Sequence, residues 1–385
     1  MGLLHDIGLS AAPARGFVAV GLCWGAFAGL TPQLKAALGA SDGAYGMALF
    51  VAAIGAAMAM WLAPRVDSAL GGHAMRVMAV AMAAAFLLPG LTQTLTVFAV
   101  VMLLAAAASG TLDVLMNAQL SGVEARTGRT LMNLNHAIFS FAYAASAMAT
   151  GLAREAAVGP VTIFAGVGVI VLAMVPGMTA RPLDDGTQTA EGVGGAPMRV
   201  IWIGGAITLI AFMAEQATEG WSALHIERGL GGGAAEGATG PAILGLTMGI
   251  GRLSGQLLAA RLNEAAVIRT AAALAAVGAV TAALAPTIPL AYLGFGILGL
   301  GVSVIAPMAF ALVGRAVRNR DRMRAIARVA TIGYLGFFIG PPAMGFLAEI
   351  WGLTASFLFI AGALLAVPVV LVPRLVRDQM SSVNR

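Results

Sequence analysis

Apolar runs of about twenty residues recur along almost the whole chain, broken by short polar connections. Twelve are read: 16–36, 44–63, 74–92, 96–118, 131–152, 159–178, 200–222, 240–260, 267–286, 289–312, 326–347 and 355–373. As a helix, a run of about 18 apolar residues or more is long enough to cross the ~30 Å hydrocarbon layer of a bilayer. No water there serves exposed peptide groups, so each run must satisfy its own backbone hydrogen bonds as a helix. The pattern therefore predicts an all-α polytopic membrane protein with 12 transmembrane helices. The one long, turn-rich polar connection, 179–199, carries Asp184, Asp185, Gly186, Glu191, Gly192 and Gly194. It divides the runs six and six, predicting bundles over 1–178 and 200–385 joined by a linker.

Composition agrees: hydrophobic residues make up 59% and charged residues 10% of the 385 positions. A soluble domain carries about 25% charged residues. The 22 basic residues give the orientation. With the N-terminus inside, the outer loops hold only Lys35, Arg154 and Arg228, while Arg315, Arg318, Arg320, Arg322 and Arg324 crowd the inner loop 313–325. Positive charge on the cytoplasmic side is the usual bias, so both termini are expected there, in a bacterial inner membrane. Basic residues in such loops face anionic headgroups, each contact contributing about 1 kcal/mol. The net charge of +5 thus points to membrane lipid and not to nucleic acid. Arg15 flanks the first run, but no small-residue cleavage site follows it, so that run is read as retained and not as a signal peptide. Cys23 is the single cysteine, which excludes an intrachain disulfide. His5, His73 and His225 are scattered near loops, without metal-ligand spacing. No nucleophile–base arrangement is visible, so neither an enzyme nor a cofactor is expected.

The halves repeat. Gly46–Arg65 matches Ala242–Arg261, with Ile54-Gly55 and Ile250-Gly251 at the same place and arginine at the end of each. Gly151-Leu-Ala-Arg-Glu155 resembles Gly345-Phe-Leu-Ala-Glu349. Two parallel six-helix repeats on a cytoplasmic linker resemble the arrangement of major facilitator transporters. Arg65 and Arg261 sit where that superfamily carries its loop signature, here degenerate: Ala59, Pro64 and Ser68 depart from it in the first copy and Gln256 in the second. Within the superfamily the chain resembles the fucose-permease-like and rhizopine-transporter-like bacterial branch. That resemblance rests on Trp24-Gly25 with Pro32, Gly110-x-x-Asp113-x-x-x-Asn117, Asn135-His136 with Ser140, and Glu219-Gly-Trp221-Ser222.

Ionisable residues inside a membrane are costly, about 3 kcal/mol on insertion scales, and are functional candidates for that reason. Asp113 and Asn117 stand i, i+4 on the fourth run and share a helix face. The resemblance makes Asp113 the proton carrier, a carboxyl that is neutral in one state and ionised in another. Glu215 and Glu219 form a second i, i+4 pair with Gln216 beside the deeper one. Like charges so placed need a proton or a cation between them. Glu215 is read as a second coupling group and Glu219 as a substrate contact. Arg252, alone inside the eighth run, needs a counter-ion or a wet cavity, with His136, Asn133 and Asp113 as expected neighbours. It is read as a switchable contact or a site for a substrate anion. His136 joins the coupling set, since histidine changes charge near neutrality. Trp24, Gln33, Asn117, Asn133, Asn135, Gln216 and Tyr334 complete the expected substrate site. Glycines 251 and 255, and those at 294, 296, 299 and 301, are read as close helix packing.

The resemblance implies a secondary transporter, monomeric, that moves a small polar organic solute such as a sugar or polyol with protons by alternating access. Proton-coupled efflux of amphipathic compounds is the alternative. The fifth run lacks, over Phe139–Gly151, the Gly-Pro pair of drug antiporters, and Gly340-Pro341 lies in the eleventh instead. Uniport and a non-transporting sensor remain as further readings.

Overall fold

The computed structural model describes residues 2–179, 198–259, 263–317 and 321–383, with backbone alone for 255–259 and 378–383. The body of the predicted linker and Arg261 lie outside these residues. The described residues are almost all helical and contain no strand. A short helix α1 (Leu3–Leu9) precedes α2 (Ala11–Ala37), α3 (Asp42–Leu70), α4 (Ala74–Leu87), α5 (Leu95–Thr127), α6 (Met132–Glu155) and α7 (Pro160–Met174). There follow α8 (Met198–Leu224), α9 (Ala234–Ala259), α10 (Glu264–Ala283), α11 (Ile288–Arg315), α12 (Arg322–Ala366) and α13 (Val372–Val383). Each predicted apolar run falls on helix, with ends shifted by a few residues.

Eight continuous stretches among the described residues are long and apolar enough to cross a membrane. Two of these, of 50 and 56 residues, exceed one crossing. Each breaks at a glycine of positive φ, Gly71 at 50° and Gly352 at 83°, a conformation that side chains with a Cβ avoid. The helices α6 and α9 have crossing length but are more polar, carrying Asn133, Asn135 and His136 on one and Thr239, Thr247 and Arg252 on the other. Polar side chains fix several starts: Ser41, Thr94 and Asn263 accept backbone N–H groups at the heads of α3, α5 and α10, the usual N-cap arrangement.

Helices before residue 179 pack mainly on one another, as do those after 198; α3 against α12 and α6 against α9 join the two sets. Lipid tails are as apolar as the side chains, so association relies on close packing at small residues. A Cβ on Gly55 would lie 2.1 Å from the Leu103 carbonyl of α5, and one on Gly278 would lie 2.4 Å from the Leu298 nitrogen of α11. Gly251 lies against Ser303 and Gly299 against Thr247, so these glycines serve packing as expected. Gly55→Ala should therefore destabilise by roughly 1–3 kcal/mol through overpacking, read as a lowered melting temperature in detergent. Gly166→Ala, inside α7 where a Cβ meets nothing within 4 Å, should not lower melting, since alanine favours a helix over glycine.

Candidate functional site

Along α5, Gly110, Asp113, Val114 and Asn117 form the part-accessible stripe, between the buried positions Leu112, Leu115 and Met116. The Asn117 amide donates to the Asp113 carboxylate at 3.1 Å and to the Asp113 backbone carbonyl at 2.9 Å. No cation pairs with Asp113 among the described residues. The helix continues to Thr127, past the predicted end of the run, which leaves Asp113 about 21 Å from its C-terminus at 1.5 Å per residue. Across the bundle, Tyr334 on α12 lies within electrostatic reach of Asp113. Its ring stacks on Phe212 of α8 at 5.6 Å, and Phe212 stacks on Phe337 at 4.9 Å.

The second cluster centres on Arg252. Its guanidinium pairs with Glu215 at 3.1 Å and donates to Ser140 Oγ at 2.6 Å and to the His136 carbonyl at 3.4 Å. The counter-ion is thus Glu215 of the neighbouring helix α8. Asp113, one of the expected neighbours, does not fill that place, and His136 contributes its backbone. Glu219, one turn beyond Glu215, lies within electrostatic reach of both Glu215 and Arg252. It makes no hydrogen bond or ion pair among the described residues. The His136 ring packs edge-on to Phe17 at 5.0 Å.

Residues 136, 140 and 143 lie on one stripe of α6, and Tyr143 brings its phenol within reach of both glutamates. Tyr143 is 1% exposed, and its hydroxyl has no partner. Its spacing of three from Ser140 and seven from His136 was a sequence signal for this position. Nothing in composition marked it, because a tyrosine in an apolar run reads as packing.

The other expected contacts divide. Gln216 and Asn133 are part-accessible on the same helices as Glu215 and His136. The Trp24 indole donates to Ser109 Oγ at 3.2 Å and packs edge-on against Phe27 and Phe86, so it offers a ring face and no donor. Gln33 keeps an unpartnered buried Oε1. Asn135 points away: it is fully buried, donating to Ser10 Oγ at 3.1 Å and the Leu131 carbonyl at 2.9 Å. It lies about 200° from Asn133 around the helix and ties the α1–α2 junction to α6. Arg65 is exposed near the end of α3, stacked on Trp61 at 3.7 Å and donating to the Trp61 carbonyl at 2.7 Å.

A polar clasp, not foreseen from the sequence, joins the two helix sets at the end of the bundle bounded by loops 38–41, 156–159, 229–233 and 350–352. Arg228 grips Asp42 with two bonds, 2.8 and 2.7 Å, and Lys35 pairs with the same carboxylate at 2.9 Å. Arg154 grips Glu227 at 2.7 and 3.0 Å and also donates to the Gly29 carbonyl at 2.8 Å. Two carboxylates hold helix starts of the opposite set: Glu349 accepts from Gly43 N at 2.6 Å and Ser41 Oγ at 2.7 Å, and Glu155 accepts from Ala235 N at 3.2 Å. Anions at helix N-termini are favoured by the helix dipole. Glu155 and Glu349 end the two copies of the repeated five-residue segment, so the repeat recurs as matching contacts.

The Major Facilitator Superfamily model matches residues 257–384. An uncharacterized MFS-type transporter of Yersinia pestis is 28% identical over 357 residues, spanning 91% of this chain and 92% of its own length. The membrane protein MosC of Rhizobium meliloti is 27% identical over 345 residues, spanning 88% and 84%. Among solved structures, the nucleoside transporter NupG superposes with a TM-score of 0.73 at 14% identity, covering 96% of this chain and 98% of that one. A bacterial homologue of the lysosomal transporter Spinster, inward-facing, gives 0.70 at 12% identity, covering 100% and 98%. These two show a shared fold. The helical architecture, the family match over the last third of the chain and the near full-length relatives agree: the chain is similar to membrane transporters of the major facilitator superfamily and shares their fold.

Proposed function

We propose that the protein is a proton symporter for a small polar organic solute, working by alternating access in a bacterial inner membrane with both termini cytoplasmic. Residues 1–178 and 200–385 are the two halves that rock about the central site. The observation that carries this reading is Asp113, a carboxylate on a part-accessible stripe deep in the bundle, hydrogen-bonded by Asn117 and paired with no cation among the described residues. A carboxylate without a counter-ion in a low-dielectric setting gains most from taking up a proton. Glu215 already has Arg252 as its counter-ion. Arg252 in turn acts as a contact between the halves, and its pairing with Glu215 speaks against a substrate-anion site. The solute lies between Asp113, Asn117 and Tyr334 on one side and Glu215, Glu219, Arg252 and His136 on the other.

The clasp supports an arrangement closed at the end that carries Lys35, Arg154 and Arg228. With that end outside, the clasp is the closed outer gate of the transporter. Opening it requires separating Arg154 from Glu227 and Arg228 from Asp42. Each pair costs little to separate once water reaches it, as exposed ion pairs contribute only about 0–1 kcal/mol.

Two outcomes follow. In proteoliposomes, Asp113→Asn should abolish uphill accumulation driven by a pH gradient while leaving solute counterflow near the parent rate; accumulation retained by this variant would overturn the assignment. Arg154→Gln should shift the population toward the outward-open state. In a Cys23→Ser background, Ala238→Cys, at a position now fully buried against α6, should react several-fold faster with an impermeant maleimide once Arg154 is replaced. An unchanged labelling rate would show that the clasp does not hold that end shut.

A further inference from the structure

We propose that His225 is the positioning residue of the polar clasp: its imidazole caps the C-terminal end of α10 and so fixes the one turn that carries both Glu227 and Arg228. The inference rests on the reading of the clasp as the outer gate and adds what holds the gate's ion pairs in place.

Helix α8 runs to Leu224, and the chain continues in one π-helical turn, His225–Gly229. Such turns are rare and recur at functional sites. This one supplies one partner of each ion pair between the helix sets, Glu227 to Arg154 at 2.7 Å and Arg228 to Asp42 at 2.7 Å. Neighbouring residues can aim at two different helices, α6 and α3, only while the turn keeps its shape. Long charged side chains do not fix a backbone by themselves. Two buried residues at the start of the turn do. Ile226 is fully buried, and its carbonyl accepts the Leu230 and Gly232 N–H groups at 3.2 and 3.1 Å. His225 is also buried and reaches another helix.

The group it reaches is a carbonyl that the sequence leaves without a helical partner. Helix α10 ends at Ala283. In a continuing helix the Ala282 carbonyl would be met by the N–H of residue 286, and that residue is Pro286, which has none. Ala282 is fully buried, and a buried carbonyl without a donor is costly. His225 Nε2 lies 3.0 Å from this oxygen. A carbonyl only accepts, so Nε2 carries the hydrogen. The partial negative charge at the end of a helix favours a donor there. The other ring nitrogen, Nδ1, is buried without a partner, so the cap is the imidazole's one hydrogen bond among the described residues. The ring also packs edge-on to Phe357 of α12 and Phe295 of α11, with centroids at 5.3 and 6.3 Å. Ala282 is backed in turn by α11, where a Cβ on Gly294 would lie 2.3 Å from the Ala282 nitrogen. The turn is thus anchored to three helices of its own set. It moves with them, so that opening separates the ion pairs and leaves the turn intact.

The test uses the purified full chain in the Cys23→Ser, Ala238→Cys background, read by maleimide labelling, with melting of every variant as the folding control. His225→Phe keeps a ring between Phe295 and Phe357 and removes the donor; it should raise the labelling rate several-fold. The amide nitrogen of glutamine falls near the Nε2 position and that of asparagine near Nδ1. His225→Gln should therefore return labelling close to the parent rate, and His225→Asn should not. Combined with Arg154→Gln, His225→Phe should give less than the product of the two single effects, as residues acting on one contact do. Ala79→Cys, at a fully buried position of α4, replaces Ala238→Cys as the control for general loosening and should stay unreactive in every variant. The proposal is overturned if His225→Phe labels at the parent rate, if His225→Gln and His225→Asn behave alike, or if Ala79→Cys becomes reactive as well. Should His225→Phe fail to fold, the comparison of His225→Gln with His225→Asn decides alone. Arg154→Gln without effect on labelling would instead fail the gate reading, and this inference with it.

Discussion

A guanidinium cannot be neutralised by giving up its proton at any pH a cell meets, and Arg252 carries one into the middle of a membrane bundle. Every arrangement around it follows from the need to hold that charge. Glu215 supplies the opposite charge from α8, and Ser140 and the His136 carbonyl supply acceptors from α6. The three helices α6, α8 and α9 are thereby drawn to one point, and α6 belongs to the other helix set. Glu215, Gln216 and Glu219 at the same point are all part-accessible. A charge both paired and hydrogen-bonded is tolerable at this depth. One sealed in apolar surroundings is not.

Around this polar centre the helices come together with very little side chain between them. Gly46 of α3 lies against Pro341, and Gly345 of α12 against Asp42 and Gly46. On the other side, Gly151 of α6 meets Ala235 and Ala238, and Gly245 and Gly249 of α9 meet Tyr143 and Phe141. Both junctions between the helix sets are therefore lined with small residues, and their adhesion is mostly short-range dispersion. At the α6–α9 junction the rings of Tyr143 and Phe141 seat on Gly245 and Gly249. The polar clasp at one end adds directionality: its bonds are strong only while the end is dry and closed. Packing and clasp together join the two helix sets along α3–α12 and α6–α9 and at one end of the bundle.

Much of this was legible in the sequence because membrane solvation acts locally. Length and apolarity of each run determine that it crosses as a helix, since a backbone in hydrocarbon has no alternative partner. The positions of arginine along the chain carry the expected orientation. Asp113 and Asn117 were paired correctly from their spacing alone, as i, i+4 residues on one helix share a face whatever the rest of the protein does. The same logic separates Asn133 from Asn135, which local geometry puts on opposite faces, although residue type alone had grouped them as substrate contacts.

What only the tertiary structure decided is who stands opposite whom. Arg252 was expected beside His136, Asn133 and Asp113; it does donate to the His136 carbonyl, but its counter-ion is Glu215, 37 positions away on the adjacent helix. The clasp pairs Asp42 with Arg228 over 186 positions and Ser41 with Glu349 over 308. No periodicity within a run encodes such pairings, since they depend on how helices tilt and rotate against one another at their glycine contacts. Tyr143 is the clearest case: in the sequence it is one aromatic among apolar neighbours, and in the bundle it is an unmet donor within electrostatic reach of two acids. A single chain determines its crossings by solvation one helix at a time. Its chemistry is determined where several helices meet, and that is a property of the packed bundle.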